Sequence, residues 1–178
     1  MAKIKIKLDP GAEMPTRATD GSVGYDVKCL EMYIVTTDGK KHRVYNEEYL
    51  YWLAETNIEV SHVECITGVH VQPEDGYYVV LAPNSRIAKT GIIYGNGEGK
   101  IDPDFTGSMK AVLQSVKGSW QVPAMVKFLP GNVIGQLIIL PKIDADWELT
   151  DKLDKTERGD GGFGSTEKPV LGAEDWYC

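Results

Sequence analysis

Short apolar runs separated by turn residues recur along this chain and restrict it to a β-rich fold. The runs have the alternation or the β-branched content typical of strands; they are Ile4–Leu8, Val63–Val71, Tyr77–Leu81, Ile92–Tyr94, Met109–Val116, Met125–Phe128 and Val133–Leu140. Turn-forming segments rich in glycine, proline and asparagine stand between them, for example residues 73–76 and 129–132. Many short strands at this spacing predict an all-β sandwich or barrel.

One segment is predicted to be helical. Asn46 can cap a short helix over residues 47–55, whose first turn carries Glu47 and Glu48 near the positive end of the helix dipole. We expect the apolar side chains of this segment to pack on the domain rather than face solvent; they are Tyr49, Leu50, Tyr51, Trp52 and Leu53.

Composition limits the class of protein. A chain of 178 residues is long enough for one domain with a sizeable core, and a formal charge of −7 argues against nucleic-acid and anionic-membrane partners. No apolar run is long enough to span a membrane. The cysteines Cys29, Cys65 and Cys178 have no metal-ligand spacing. These features predict a soluble cytoplasmic protein with reduced thiols and no zinc site.

The glycine-rich segment 95–107 carries the strongest functional signal. Three glycines stand within five residues at its start, so the backbone can turn tightly and approach a ligand closely. Asp102 follows between Ile101 and Pro103, which places a candidate general base at the rim of a backbone-lined pocket. An ordinary hairpin has the same pattern, and the remaining motifs are what favour a site.

Five short motifs in a fixed order make the chain resemble the homotrimeric dUTPases, which hydrolyse dUTP to dUMP and pyrophosphate. The motifs are residues 15–27, 83–86, 95–107, 131–137 and 158–166, and the resemblance covers nearly the whole chain except an insertion at about residues 38–57. It implies a distorted jelly-roll barrel over residues 1–157 and a flexible C-terminal arm over residues 158–178. It also implies a homotrimer with shared active sites, in which the arm of one subunit closes over the nucleotide of another.

The first two motifs resemble metal- and phosphate-binding segments. By this resemblance, Asp26 orients water around a Mg²⁺ ion that the substrate phosphates hold, and Ser85 binds a phosphate oxygen. The family has an arginine where this chain has Asn84, and an amide does not reproduce a charged, planar guanidinium. Arg86 stands two residues later and is expected to substitute as a phosphate ligand.

The third motif resembles the family's uracil and sugar site. The resemblance makes Asp102 the general base that activates the attacking water. Phe105 replaces a usual tyrosine and is expected to pack against the deoxyribose, so that a 2′-hydroxyl has no room. The substrate-binding residues implied in and near this motif are Asn96, Gly99, Ile101, Phe105 and Lys110.

The fourth motif is altered and the fifth is nearly intact. Asn132 and Val133 replace an acid and an arginine of the family, whereas Gln136, a residue that contacts phosphates or stabilises the site, is kept. The fifth motif provides flexible backbone, one cation and one aromatic ring. Its residues implied in substrate binding are Arg158, Phe163, Gly164 and Ser165.

Two alternatives to a dUTPase remain open. The related dCTP deaminases share the stretch around Asp102 but need a glutamate where this chain has Val112. A nucleotide-binding regulatory protein on the same scaffold is the second alternative, because the arginines expected at Asn84 and Val133 are missing. The insertion would then be a partner surface.

Overall fold

The computed structural model describes residues 2–56, 58–116 and 120–161, and within them the chain is mostly β-sheet. The strands are β1 (Ile4–Leu8), β2 (Tyr25–Lys28), β3 (Glu31–Thr36), β4 (Lys41–Val44), β5 (Val60–Ile66), β6 (Val69–Pro73), β7 (Tyr77–Ala82), β8 (Ile92–Tyr94), β9 (Gly99–Ile101), β10 (Lys110–Ser115) and β11 (Val133–Pro141). The helices are α1 (Glu47–Glu55) and α2 (Val122–Met125), with 3-10 turns at Ile87–Lys89 and Val126–Phe128. The all-β prediction is confirmed.

The strands form three antiparallel sheets. One sheet has the order β4-β3-β5-β10-β8, a second has the order β2-β11-β7-β9, and β1 pairs with β6 alone. One buried cluster joins the sheets; its largest fully buried side chains include Met32 and Leu113 from the first sheet, Leu81 and Ile134 from the second, and Phe128. Burial of each such side chain contributes about 1.5–3 kcal/mol, so the core holds the sheets together.

Two predicted strands differ from the observed elements. The run Met125–Phe128 is not a strand: it is the end of α2 and a 3-10 turn. Four apolar residues cannot distinguish a strand from a buried helical turn, and Pro123 in the first turn of α2 favours the helix. The run Val63–Val71 contains two strands, because Gly68 adopts a φ of 67° and reverses the chain between β5 and β6.

Helix α1 begins where the sequence predicts it. The Asn46 side chain accepts a hydrogen bond from the Tyr49 backbone nitrogen at 2.9 Å. Leu50 is buried, but Tyr51 and Trp52 are 49% and 54% exposed, so the expectation of packing is wrong for these two rings. A surface helix buries one face only, and Trp52 stacks on Tyr49 at a centroid distance of 5.4 Å.

Contacts divide the chain into two units, Met1–Ile143 and Asp144–Cys178. In the second unit, described residues 144–161 contain no helix or strand, and almost all of them are exposed. The boundary expected between residues 157 and 158 stays a prediction. Among the described residues, no helix is long and apolar enough to cross a membrane.

Candidate active site

The four-stranded sheet aligns three of the motifs. Gln136 of β11 lies opposite Asp26 of β2 on one side and opposite Ala82 of β7 on the other. Directly opposed residues of antiparallel strands point to the same face of the sheet. Asp26 of the first motif and Gln136 of the fourth motif therefore face the same side of the sheet. Ala82, the last residue of β7, faces this side as well, and the second motif begins directly after it. We call Asp26, Gln136 and Ala82 the motif row.

Gly24 of the first motif leaves the space that the Gln136 side chain fills. A Cβ atom at residue 24 would lie 2.8 Å from Gln136 Cδ and 2.9 Å from Gln136 Cβ, closer than packed carbon atoms approach. Gly24 is also buried. Glycine is therefore required here by the close approach of the Gln136 amide, which connects the first motif to the fourth.

The second motif is tied to the fourth through Arg86. The Arg86 Nη2 atom donates to the Val133 carbonyl at 3.1 Å and to the Lys127 carbonyl at 3.5 Å, while the side chain stays exposed. Ser85 is exposed as well. The Arg86 guanidinium thus has a backbone partner at Val133, the position where the resemblance implies the fourth-motif arginine. The expected contact between Arg86 and a phosphate stays a prediction.

Asn84 has an unsatisfied acceptor. Its Oδ1 atom is buried, and no donor among the described residues reaches it. Leaving a buried polar atom unpaired costs about 1–3 kcal/mol. A neutral amide with an unpaired acceptor therefore occupies the position where the resemblance to dUTPases implies an arginine.

The start of the third motif is a corner between two sheets and not an ordinary hairpin within one sheet. β8 pairs with β10 in the five-stranded sheet, whereas β9 pairs with β7 in the four-stranded sheet. Gly97 makes the turn with a φ of 69°, and its nitrogen donates to the Tyr94 carbonyl at 3.1 Å. The exposed Asn96 side chain lies beside Gly99. Its amide nitrogen would be 3.7 Å from a Cβ atom at residue 99.

Asp102 is exposed and lies far from the motif row. β9 pairs Gly99 with Leu81 and Ile101 with Val79, so Asp102 follows toward the start of β7, whereas the row crosses its end. With strands about 4.8 Å apart and about 3.3 Å per residue, Asp26 and Asp102 of one copy are roughly 20 Å apart. Within one copy, the candidate base therefore follows one edge strand of this sheet, β9, whereas Asp26 lies on the other edge strand, β2.

Phe105 folds back on its own loop. A Cβ atom at Gly107 would lie 2.6 Å from the Phe105 Cζ atom, so the ring covers that glycine. The Phe105 nitrogen donates to the Asp102 carbonyl at 3.0 Å, and the ring is 45% exposed. Because Gly107 has no side chain, the Phe105 ring can pack directly against the backbone of residue 107.

Tyr94 connects the third motif to the fourth, although no motif in the sequence predicted a role for it. Its hydroxyl donates to the Ile134 carbonyl at 2.8 Å, and burial raises the pKa of the Tyr94 hydroxyl. The register of β11 against β2 shifts at Ile134, so Tyr94 donates its hydrogen bond to a carbonyl in an irregular part of the strand. A polar hydroxyl in an apolar run just before Gly95 was the available signal.

Lys110 lies in an ion cluster of the five-stranded sheet. Its Nζ is 3.0 Å from one carboxylate oxygen of the buried Glu64, and Lys41 Nζ is 2.8 Å from the other. Burial alone would raise the pKa of Glu64, but hydrogen bonds from the two lysines outweigh it and the pKa is lowered. The role of Lys110 in substrate binding stays a prediction.

The donor set fits a magnesium ion that the substrate carries. Within the described ranges, no group of three or more His, Cys, Asp or Glu residues could hold a metal ion. Asp26 provides a single carboxylate beside Gln136. Mg²⁺ commonly binds one or two carboxylates together with substrate phosphates and waters, so one carboxylate is sufficient for that arrangement.

The fifth motif is described only at its start. Arg158 Nε donates to the Gly161 carbonyl at 2.8 Å, within an exposed turn. The remaining predicted residues of this motif lie outside the described residues; they are Phe163, Gly164 and Ser165.

Comparisons with known proteins agree with these motifs. The family model for dUTPase matches residues 49–167. The deoxyuridine 5′-triphosphate nucleotidohydrolase of Herminiimonas arsenicoxydans is 32% identical over 175 residues, covering 94% of this chain and 99% of that protein. The chain belongs to the dUTPase family.

Solved dUTPase structures share the fold. The dUTPase of Staphylococcus bacteriophage 80alpha with dUPNHPP has a TM-score of 0.66 at 20% identity, covering 92% of this chain and 98% of that one. A variant of the dUTPase from phage phi11 of S. aureus, in which a structural Mg(II) ion is coordinated, has a TM-score of 0.59 at 16% identity, over 84% and 97% of the two chains.

The motif positions that the resemblance marks as altered lie within the family match. Asn84 and Val133 both lie inside the matched range, so the altered second and fourth motifs belong to the family domain itself. The first motif, residues 15–27, lies before the matched range. The motif row nevertheless joins Asp26 of that motif to Gln136 of the fourth.

Proposed function

We propose that this protein is a dUTP diphosphatase that hydrolyses dUTP to dUMP and pyrophosphate in the cytoplasm. The motif row supports the proposal most strongly. It puts Asp26 of the first motif and Gln136 of the fourth motif on one face of the sheet, and the second motif begins directly after Ala82 in the same row. The free, buried thiols of Cys29 and Cys65 suit a reducing compartment.

The motif row is the proposed phosphate site. Gln136, held over Gly24, and Ser85 at the exposed turn after β7 bind phosphate oxygens. Asp26 would hold water around a Mg²⁺ ion. An ion bound with the triphosphate would supply positive charge that stabilises the leaving pyrophosphate. Lys110 and Arg86 remain candidate phosphate ligands, although each has a partner of its own in the protein.

Asp102 is the proposed general base, and it acts in a site formed by more than one copy. A base must come within hydrogen-bond distance of the water that it activates. Roughly 20 Å separate Asp102 from Asp26 of the same copy, so a second copy must supply it. This supports a homotrimer with shared sites, in which a further arm contributes Arg158, Phe163, Gly164 and Ser165.

The third motif is the proposed selectivity region. Asn96 and the backbone of Gly99 and Ile101 read the uracil edge at the corner between the sheets. Phe105, resting on Gly107, faces the sugar and excludes a 2′-hydroxyl. A wall discriminates against an added group only when the wall is rigid.

The test is pyrophosphate release with Mg²⁺ from dUTP, UTP, dCTP and dTTP, compared through kcat/KM. We expect dUTP to be strongly preferred and activity to disappear when EDTA is added. Equal use of UTP and dUTP would contradict the sugar gate. Tight binding of a non-hydrolysable dUTP analogue without turnover would contradict the enzymatic function.

A nucleotide-binding protein with weakened hydrolysis is the second candidate. Asn84 supplies no charge, and Arg86 is tied to the Val133 carbonyl. The variant Asn84→Arg separates the two candidates. If the native protein turns over slowly and Asn84→Arg raises kcat/KM at least about tenfold, the missing cation has weakened hydrolysis. Fast turnover by the native protein, with an unchanged kcat/KM in Asn84→Arg, supports the fully active enzyme.

A further inference from the structure

His70 connects the third motif to the two-stranded sheet. It lies on β6, with its side chain only 17% exposed. Its Nδ1 atom is 2.8 Å from the Thr106 carbonyl oxygen, and its Nε2 atom is 3.1 Å from Asp9 Oδ1. Asp9 follows β1. The imidazole therefore links the end of β1 to the residue that follows Phe105.

The two partners of His70 lie on opposite sides of its ring. A carbonyl oxygen only accepts, so Nδ1 must donate to Thr106. Asp9 Oδ1 lies 3.1 Å from Nε2 on the other side of the ring. Asp9 therefore fixes the ring orientation that directs the Nδ1 hydrogen to the loop, as carboxylates do for histidines in catalytic sites.

The other groups around His70 are compatible with this arrangement. A cavity of about 190 Å³ beside the ring is lined by Lys5 and Lys7 of β1 and by Gln72 of β6. Lys7 Nζ lies 3.9 Å from Asp9 Oδ1 and forms an ion pair with it. Both lysines stand on the exposed side of β1.

His70 holds the part of the loop that strand contacts do not reach. The end of the loop is fixed by Ser108, whose Oγ accepts from the Gly68 nitrogen at 3.0 Å, and by Met109, whose nitrogen donates to the Val69 carbonyl at 3.0 Å. Its start follows β9. Between these ends, the Nδ1 contact at Thr106 restrains the exposed segment next to the Phe105 ring.

We propose that His70 is a positioning residue for the sugar gate: its imidazole fixes the backbone at Thr106 and thereby the Phe105 ring that separates dUTP from UTP. The inference rests on the proposed function. His70 touches no substrate in this assignment and acts only through the loop. Losing it lets the ring move, so that a 2′-hydroxyl is tolerated.

The experiment compares three single variants of the full-length protein. His70→Phe keeps a ring but removes both ring nitrogens, and His70→Asn keeps an N–H donor near the place of Nδ1. His62→Phe is the matched control, because His62 lies on β5 and its ring contacts Ser61 and Glu64 instead of the loop. Each variant is measured for kcat/KM with dUTP and with UTP, and for amide exchange over residues 102–107 without nucleotide.

We expect His70→Phe to lower the dUTP-to-UTP ratio of kcat/KM about tenfold, the equivalent of one lost hydrogen bond, chiefly by increasing UTP use. Exchange over residues 102–107 should accelerate. His70→Asn should recover part of both effects, and His62→Phe should show neither. An unchanged ratio in His70→Phe overturns the proposal, whether or not exchange accelerates.

A failure of the proposed function gives a different result. If the native protein releases no pyrophosphate from dUTP, the enzymatic function is wrong. Faster exchange in His70→Phe than in His62→Phe would then still support the tether at Thr106, whereas equal exchange in these two variants would refute it. Nitrogen NMR of the His70 ring supplies a second readout: a Nδ1 atom without a proton contradicts the tether.

Discussion

The motif row and the third-motif loop are built in different ways. The row lies inside a sheet, where β11 is paired with β2 on one side and β7 on the other. The loop, residues 102–108, lies outside the strands and is mostly exposed. Contacts from neighbouring strands restrain it, among them the Gly68 nitrogen bound to Ser108 Oγ and His70 bound to the Thr106 carbonyl.

This structural difference predicts that the row mainly serves nucleotide binding and that the loop mainly serves hydrolysis and selectivity. Groups on paired strands are held in place before a ligand arrives, which suits the recognition of phosphates. The proposed base, Asp102, and the proposed sugar gate, Phe105, stand on a loop whose position depends on a few contacts and, in the proposed assembly, on a second copy. Changes in the row should therefore affect affinity most, and changes in the loop should affect turnover and selectivity.

The largest effect on turnover is expected for a substitution in the third-motif loop. Asp102→Asn should lower kcat by about 10²–10⁴-fold, because the attacking water loses its base. The carboxylate is exposed and the amide has a similar shape, so folding and the affinity for a non-hydrolysable dUTP analogue should be kept. Steady-state pyrophosphate release and calorimetric titration measure the two quantities. Near-normal turnover would remove Asp102 from the mechanism.

Mixing two defective variants tests whether row and loop come from different copies. Asp102→Asn damages the loop, and Gln136→Ala damages the row. If the site joins two copies, random co-assembly after denaturation and refolding should restore about a quarter of the sites, since each needs an intact row from one copy and an intact loop from its neighbour. Activity that stays at the level of the unmixed variants would mean that one copy holds a whole site.

The sequence indicated Asp26 and Gln136 of the row, and Asp102 and Phe105 of the loop, but not their spatial relation. Alternation and turn residues predicted most of the strands, and the motif order indicated Asp26, Gln136 and Asp102. Neither pattern records which strands pair, so the alignment of Asp26 with Gln136 and the corner at Gly97 became visible only in the register. Contacts between distant residues, such as Tyr94 with Ile134, leave almost no local signal.

A glycine pair tests the row itself. Gly24→Ala should weaken binding of the dUTP analogue about tenfold, because the new methyl group displaces the Gln136 side chain. Gly21→Ala is the matched control: a Cβ atom at residue 21 meets no atom within 4 Å. Equal affinities for the two variants in calorimetric titration would show that the Gln136 position is unimportant for binding.

The smallest expected effect concerns the ion cluster around Glu64, which lies in neither region. Its pKa is lowered in the folded protein, so the stabilisation is complete above the ordinary value of 4.5 and is lost as the pH falls through the lower folded value. Glu64→Gln should flatten this acid limb in urea unfolding measured from pH 6 to pH 3. An acid limb of unchanged steepness would exclude Glu64 as its source.

The pairing of β2 with β11 also affects how the protein reaches its native state. Asp26 and Gln136 are neighbours in the sheet although roughly 110 residues separate them along the chain. Closing so long a loop is entropically costly, and proteins dominated by such non-local pairings fold slowly. The motif row should therefore assemble late in refolding, after the local β3–β4 pairing, and nucleotide binding should return only with this last step.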